Sequence, residues 1–493
     1  MFSKILQNYS ASSVKNDVLS GIVVAVALVP EAIAFSIIAH VNPLVGLYTA
    51  FILGLITAIF GGKPGMISGA TGSVAVVMVA LVATYGVEYL FWATILAGII
   101  QILVGVFKLA KFIRLVPQPV MFGFVNGLAI IIAMAQFPMF EGEGWQMYAL
   151  VLSTMAIMYF MPKYTTAVPA GLVAIIIISL FVIFFNIDTK TVGDLADISG
   201  GLPTFHFPLA PLNFETFKII APFAVIMALV GLIESLLTLS VLDEMSGTKG
   251  SGNKEAIALG AGNTTCGFFG GMAGCAMIGQ SVINYTSGGR GRLSGATAAI
   301  LLLLFVVSLS GLISKIPLAV LVGIMFMVSI ATFEWASFDR LKRMPKEDAF
   351  ILLTVTIITI FADLAIAVIV GVIISALIFA WQHAKVYFTT KMEDNKKIYI
   401  FEGPLFFGSV TEFLDSFDVE NDPDEVVMDF KKVRVMDSSG VEAIDKITKK
   451  YKEAGKKLTI RHLSNDCKRL LKEAGPYCTY EEDDPDYKVA SDI

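Results

Sequence analysis

The chain has 493 residues, of which 56% are hydrophobic and only 16% are charged, and its mean hydropathy is +0.76. This composition lies outside the range of soluble domains and indicates a protein with many membrane spans. The net charge of −5 says nothing about a nucleic-acid partner, but the sequence has no basic tract, so we expect none. The four cysteines have no disulfide or zinc spacing.

The apolar runs form two sets of seven. In chain order they cover residues 17–38, 43–61, 66–84, 88–107, 116–138, 145–161 and 166–186, and, after a polar stretch, 216–240, 255–270, 275–287, 293–314, 317–332, 348–361 and 364–384. Several runs are shorter than the roughly 20 residues that a full crossing needs. Short, glycine-interrupted runs at matching positions of two halves predict an inverted-repeat transporter in the lipid bilayer.

A glycine-rich stretch interrupts each half, from Gly69 to Ser73 in the first and from Gly270 to Gln280 in the second. Glycine and small polar residues break a helix, and the free N–H groups of the next helix then point at the membrane interior. Two such helix starts that face each other would form an anion site.

The basic residues predict the orientation of the chain in the membrane. If the N-terminus is cytoplasmic, 15 of the 18 Lys and Arg residues before position 385, Arg114 included, fall in inner loops, and only Lys190, Lys218 and Lys315 fall outside. We therefore expect both termini of this multi-pass protein to be cytoplasmic. The membrane would be an inner (plasma) membrane of bacterial type.

A soluble domain is predicted to follow the membrane domain of residues 1–384. Residues 385–493 contain 18 of the 36 basic and 23 of the 41 acidic residues. Residues 397–401, 426–430 and 458–463 have strand-like sequences, and 439–454 and 465–474 carry apolar residues at helical spacing. This pattern predicts a small α/β domain with a mostly parallel or mixed sheet over 385–475, and a loose acidic tail over 476–493.

Several motifs resemble the SulP sulfate permease family of anion transporters. They are VPEAIAFS at 29–36, SGATGSVAVV at 68–77, IESLLTLSVLDEMSGTKGSGNKEAIALGAGN at 233–263 and GGMAGCAMIGQSVINYTSGGRGRLSG at 270–295. VMDSSGVEAI at 435–444 resembles the STAS domain that ends these proteins. The resemblance implies a uracil-permease-like fold of two interlocked seven-helix repeats, with a core domain that holds the substrate, a gate domain, and assembly as a homodimer.

The resemblance also implies an anion site. The third-span motif of the family matches Gly69, Ala70, Thr71, Gly72 and Ser73, where Ala70 replaces a frequent proline. The start of the tenth span matches Ala276, Met277, Ile278, Gly279 and Gln280, where Gln280 replaces a frequent arginine. Anion binding would then depend on helix N-termini, each equivalent to up to about 0.5 elementary charge, and on side-chain dipoles.

Two carboxylates, Glu31 and Glu234, lie inside apolar runs. A charged group in such a run costs several kcal/mol unless it faces water or a partner, so we expect each carboxylate to have a function. The alternative is a structural role, in which a protonated glutamate forms a hydrogen bond with a helix end. Glu234 matches an acidic position of the family, with Thr238 one turn away, whereas Glu31 stands where many relatives have glutamine. In some bicarbonate-transporting relatives, an aspartate and a threonine at the positions of Glu234 and Thr238 bind Na⁺. The glutamate of this chain favours H⁺ instead.

We therefore expect an H⁺-coupled symporter of a small inorganic anion, sulfate or bicarbonate in type, that works by alternating access. It would be no enzyme and would need no cofactor or metal beyond H⁺ or Na⁺. The alternatives are a Na⁺-coupled bicarbonate symporter, an anion exchanger or channel, and a nucleobase permease of the same fold, which would need base-stacking aromatic residues. Ser438 matches the phosphorylated serine of anti-sigma-factor antagonists, so the STAS domain could receive a cytoplasmic regulator; a helix cap is the alternative.

Overall fold

The computed structural model describes residues 10–111, 116–164, 169–195, 201–362, 364–382, 384–393 and 395–474. Arg114, His383 and the predicted acidic tail lie outside these residues. The chain divides into two compact units, residues 1–372 and 373–493, each with its own packing.

In the described part of the chain up to residue 382, one helix lies in each of the fourteen predicted spans. These helices are α1 (Ala11–Ile38), α2 (Pro43–Phe60), α3 (Gly72–Tyr85), α4 (Val87–Val106), α5 (Gln118–Met134), α6 (Trp145–Tyr164), α7 (Ala170–Phe185), α8 (Phe214–Ser246), α9 (Gly252–Phe268), α10 (Ile278–Thr286), α11 (Arg292–Ile313), α12 (Leu318–Thr332), α13 (Lys346–Phe361) and α14 (Leu364–Gln382). Of the described helices, seven are long and apolar enough to cross a membrane alone.

The third helix of each half is shortened by a strand. Strand β1 (Ser68–Gly69) precedes α3, and β2 (Cys275–Ala276) precedes α10. The two strands pair antiparallel, with Ser68 opposite Ala276 and Gly69 opposite Cys275. The glycine-rich stretches therefore meet, because each exposes backbone groups that the other can bond.

Helices α1 to α14 pack as two groups. Helices α1–α4 pack with α8–α11 and form the core domain, while α5–α7 pack with α12–α14 and form the gate domain. Helices α4 and α9 cross closely, since a Cβ on Gly98 would lie 2.6 Å from the Gly260 carbonyl oxygen and a Cβ on Gly260 would lie 2.4 Å from that of Gly98. Small residues permit this approach, as expected for helices in a membrane.

The second unit contains a four-stranded sheet in the order β3 (Tyr387–Glu393), β4 (Lys396–Leu405), β5 (Glu425–Val435) and β6 (Lys457–Arg461). Strand β3 is antiparallel to β4 and the other pairs are parallel, which confirms the mixed sheet. Helices α15 (Val410–Asp415), α16 (Ser438–Glu453) and α17 (Asn465–Ala474) accompany it. The sequence did not predict β3, because all seven of its residues are exposed and no face alternates.

Candidate functional site

The paired strands bring two helix N-termini together. Helix α3 follows Thr71 and helix α10 follows Met277, both in extended conformation, and neither residue caps its helix with its side chain. In contrast, Asn213 accepts from the Thr216 N–H at the start of α8. Thr71 and Met277 therefore leave the leading N–H groups of α3 and α10 without a side-chain cap, as an anion site at a helix start requires.

Glycines permit the close approach of the two breaks. A Cβ on Gly274 would lie 2.1 Å from the Gly69 carbonyl oxygen. A Cβ on Gly72 would lie 2.8 Å from the Phe35 ring and 3.0 Å from Ile132 of the gate domain. Gly279 differs, because its position is exposed and a Cβ there would meet no atom within 4 Å. The start of α10 thus faces open space, whereas the start of α3 is packed.

The carboxyl group of Glu234 reaches both breaks. Its Oε2 accepts a hydrogen bond from the Ser73 hydroxyl at the start of α3 and one of 3.0 Å from the Cys275 thiol of β2. The Thr71 hydroxyl lies 3.0 Å from the Cys275 sulfur and 3.2 Å from Ser73. The structure therefore brings Glu234 close to Thr71 and Ser73, which the sequence analysis placed together in another span.

Thr238 lies one turn beyond Glu234 and is fully buried. Its hydroxyl donates to the Glu234 carbonyl oxygen at 2.8 Å and lies 3.4 Å from the Ala276 carbonyl oxygen. It thus joins α8 to the second break without a hydrogen bond to the Glu234 carboxyl group.

Glu31 and Gln280 form a pair that the sequence analysis did not predict. The Gln280 Nε2 donates to Glu31 Oε1 at 2.7 Å, which links α1 to α10. Gln280 is 3% exposed, and its Oε1 has no hydrogen-bond partner in the described chain. The amide therefore bridges two helices of the core domain.

Buried polar side chains of neighbouring helices hold the second break in place. The Ser235 hydroxyl accepts from the Ala276 N–H at 3.0 Å. Asn263 accepts from the Gly274 N–H at 2.9 Å and donates to its carbonyl oxygen at 3.0 Å and to Gln101 at 2.8 Å. These residues were not predicted from the sequence. An amide side chain inside an apolar run is the signal that could have identified Asn263 and Gln101.

In the second unit, Ser438 is exposed at the first position of α16. Asp437 caps this helix, since its carboxylate accepts from the N–H groups of Gly440 and Phe407, each at 2.9 Å. Ser438 therefore lies at an accessible helix N-terminus, where a phosphate would be stabilised. Among the residues that the structure describes, no group of three or more His, Cys, Asp or Glu side chains could hold a metal ion.

Family models match most of the chain. The model of the sulfate permease family matches residues 14–144 and 141–355, and that of the STAS domain matches residues 387–477. YbaR of Bacillus subtilis (strain 168), provisionally named a sulfate transporter, is 48% identical over 464 residues, which cover 94% of this chain and 97% of YbaR. The bicarbonate transporter BicA of Picosynechococcus sp. is 30% identical over 476 residues, which cover 85% of this chain and 84% of BicA.

Solved structures have the same architecture. The transmembrane domain of a cyanobacterial bicarbonate transporter BicA matches with a TM-score of 0.65 and 30% identity, over 73% of this chain and 98% of that domain. The murine anion transporter Slc26a9 matches with a TM-score of 0.82 and 16% identity, over 96% of this chain and 89% of that protein. These matches confirm the predicted fold of two seven-helix repeats followed by a STAS domain.

Proposed function

This chain belongs to the sulfate permease family of anion transporters, and we propose that it carries a small inorganic anion by H⁺-coupled symport. The anion would be of the sulfate or bicarbonate type, in keeping with the names of YbaR and BicA. The two domains of the first unit would move against each other by alternating access. The family is one of transporters rather than enzymes.

The observation that carries this proposal is the meeting of two helix starts without side-chain caps at the β1–β2 pair. Their N–H groups form the positive ends of the helix dipoles. They can therefore attract an anion without a positively charged side chain. The open position of Gly279 gives an anion room to approach the start of α10. The proposed substrate site accordingly comprises Gly69 to Ser73 and Ala276 to Gln280.

Glu234 is proposed to carry the coupling proton. Its carboxyl group bonds Ser73 and Cys275, and no lysine or arginine of the described chain pairs with it. A partly buried carboxylate inside a membrane span needs a proton or a cation to offset its desolvation, and a bound anion nearby would favour the proton. Anion and proton would then bind cooperatively.

Coupling to Na⁺ is the second candidate. The Ser73 hydroxyl oxygen lies within hydrogen-bond distance of both the Glu234 carboxylate and the Thr71 hydroxyl oxygen. The Thr71 hydroxyl oxygen also lies within hydrogen-bond distance of the Cys275 sulfur. Carboxylate and hydroxyl oxygens are ligands suited to a hard cation. Glu31, bonded to Gln280, is the next carboxyl group to test if neither ion acts at Glu234.

Location and assembly are also proposed. The basic-residue distribution supports an inner membrane protein with both termini in the cytoplasm. The ends of α1, α5 and the start of α12, which would then face outward, pack together around a crevice of about 10 Å³. We further propose a homodimer and a cytoplasmic regulator that binds the STAS domain at Ser438.

Uptake into proteoliposomes tests this function. Labelled sulfate, bicarbonate, chloride and succinate would be supplied separately, with H⁺ or Na⁺ gradients imposed one at a time. Accumulation of one inorganic anion above its outer concentration under an H⁺ gradient is expected. Accumulation driven only by Na⁺ would favour the second candidate, and uptake that never exceeds equilibrium would identify an exchanger or a channel.

A further inference from the structure

An aromatic groove lies between α6 and α12 in the gate domain, outside the anion site. The helical turn Phe137–Phe140, the first half of α6 and the middle of α12 form its walls, and its volume is about 670 Å³. Its lining includes Phe137, Phe140, Glu141, Tyr148, Met155 and Phe326. The groove opens at the N-terminal end of α6, which the distribution of basic residues predicts to be extracellular.

The aromatic rings of the groove form a continuous surface. The Phe140 ring centroid lies 4.8 Å from that of Tyr148 and 6.2 Å from that of Phe326, and Phe137 lies 6.0 Å from Phe326. Aromatic faces attract ammonium groups through the ring quadrupole. The mouth of the groove therefore suits a cation better than a neutral or anionic group.

Glu141 adds a negative charge to this mouth. Its side chain is exposed, and no donor or cation of the described chain pairs with its carboxylate. Two residues further on, Glu143 does have a cation, since Lys190 lies 2.7 Å away. Glu141 thus remains available to an ammonium group from outside the chain.

The groove continues from the mouth into the apolar part of the membrane. From Trp145 to Met155, α6 rises by about 15 Å, so Met155 lies at the depth of the acyl chains. Leu152, between them, is 66% exposed and opens the groove to the bilayer. An occupant would therefore have a cationic head and an alkyl tail.

We propose that this groove binds a phospholipid with a primary-amine headgroup, phosphatidylethanolamine in type. The ammonium group donates to the Glu141 carboxylate beside the rings of Phe140 and Tyr148. One acyl chain lies along α6 towards Met155. A phosphatidylglycerol of the same acyl chains lacks the ammonium group and binds more weakly.

Native mass spectrometry of the full-length protein tests the proposal, with phosphatidylethanolamine and phosphatidylglycerol of identical chains added in turn. Glu141→Gln should weaken phosphatidylethanolamine retention by about two- to fivefold, as an exposed ion pair or cation–π contact allows. The exposed Glu215, in the first turn of α8, is the matched control, and Glu215→Gln should retain the lipid like the parent. Phe140→Ala should weaken it as well.

Three outcomes would overturn the proposal. Equal retention of both lipids by the parent would make the groove an ordinary lipid-facing surface. Unchanged retention by Glu141→Gln would remove the carboxylate from recognition. Full displacement of the lipid by soluble phosphoethanolamine at equal concentration would show that the headgroup alone is the ligand.

Discussion

Glu234 and Glu31 are both carboxyl groups inside the core domain, but their hydrogen bonds differ. Glu234 bonds residues of both breaks, Ser73 and Cys275, whereas within the described chain the Glu31 carboxyl group bonds only the side chain of Gln280. A change of protonation at Glu234 would therefore alter hydrogen bonds in both breaks. The same change at Glu31 acts on one side-chain bridge.

Glu234→Gln mimics the protonated state and should uncouple transport. The variant should still bind and exchange the anion, because the helix starts remain. Its accumulation ratio under an H⁺ gradient should fall to about 1, since no proton moves with the anion. Glu255→Gln is the control, because Glu255 is a buried carboxyl group of the core domain that bonds the Gly62 N–H instead of the breaks. Undiminished accumulation by Glu234→Gln would assign coupling elsewhere.

Gly279→Val should obstruct the anion without disturbing the fold. The added side chain enters open space at the start of α10, since a Cβ there meets no atom within 4 Å. We expect anion affinity to fall by at least about tenfold, equivalent to about 1.4 kcal/mol. Gly311→Val makes the same change at an exposed helical glycine of α11 with equally open space, and it should transport normally. Bulky apolar substitution of the buried Thr71 should also abolish transport.

Asp429 in the STAS domain should make stability depend on acid pH. Burial alone would raise its pKa, but hydrogen bonds from His462 and the Lys431 N–H, with the charge of Arg461, lower the pKa below its usual 3.8. Its contribution is therefore complete above pH 3.8 and is lost as the pH falls through the lower folded value. Asp429→Asn should cost about 2 kcal/mol at neutral pH.

Urea unfolding of the STAS domain, followed between acid and neutral pH, measures this effect. Glu402→Gln is the control, because Glu402 forms an exposed ion pair with Lys432. A neutral-pH loss in Glu402→Gln as large as that in Asp429→Asn would contradict the assignment.

At the scale of elements, the breaks depend on helices outside the proposed substrate site. Helix α8 holds β2 through Ser235, and α9 holds Gly274 through Asn263. These bonds replace those that an unbroken helix would make within itself, which is how irregular backbone persists in a membrane. The position of the α10 start is thus set by α8 and α9.

Asn263→Ala should therefore loosen the second break. The N–H and carbonyl groups of Gly274 would lose their partner, at a cost of about 1 to 3 kcal/mol for each buried group. Thermal stability and anion affinity should both fall. In the gate domain, Asn126→Ala also removes a buried amide, which bonds Glu334 and Ser337, and it should lower stability but leave anion affinity unchanged. Equal affinity in both variants would contradict this role of Asn263.

The sequence predicted the helices more completely than their contacts. Apolar runs locate α1 to α14 because each span must be long and apolar whatever it packs against. The meeting of Gly69 with Cys275 and the bond of Gln280 to Glu31 depend on residues more than 200 positions apart, which periodicity does not relate. A polar residue inside an apolar run can be recognised from the sequence, but the residue with which it forms a hydrogen bond cannot.

At the scale of the whole molecule, the chain consists of two separately packed units. The second unit has its own hydrophobic core, which includes Phe401, Phe413, Phe430 and Ile460. All the proposed anion and coupling residues belong to the first unit, and Ser438 belongs to the second. The residues proposed for transport and for regulation therefore lie in separate parts of the chain.

Truncation after His383 should leave substrate selectivity unchanged. The shortened chain keeps α1 to α14 and both helix starts, so all the groups proposed to recognise the anion are present. Its uptake rate or expression should fall if the STAS domain assembles or regulates the transporter. The measurement is the ratio of sulfate, bicarbonate, chloride and succinate uptake in proteoliposomes, normalised to folded protein. Ser438→Ala in the full chain is the companion variant, because it should alter regulation without altering these ratios. A truncated protein whose ratios differ from those of the parent would place part of the selectivity in the STAS domain.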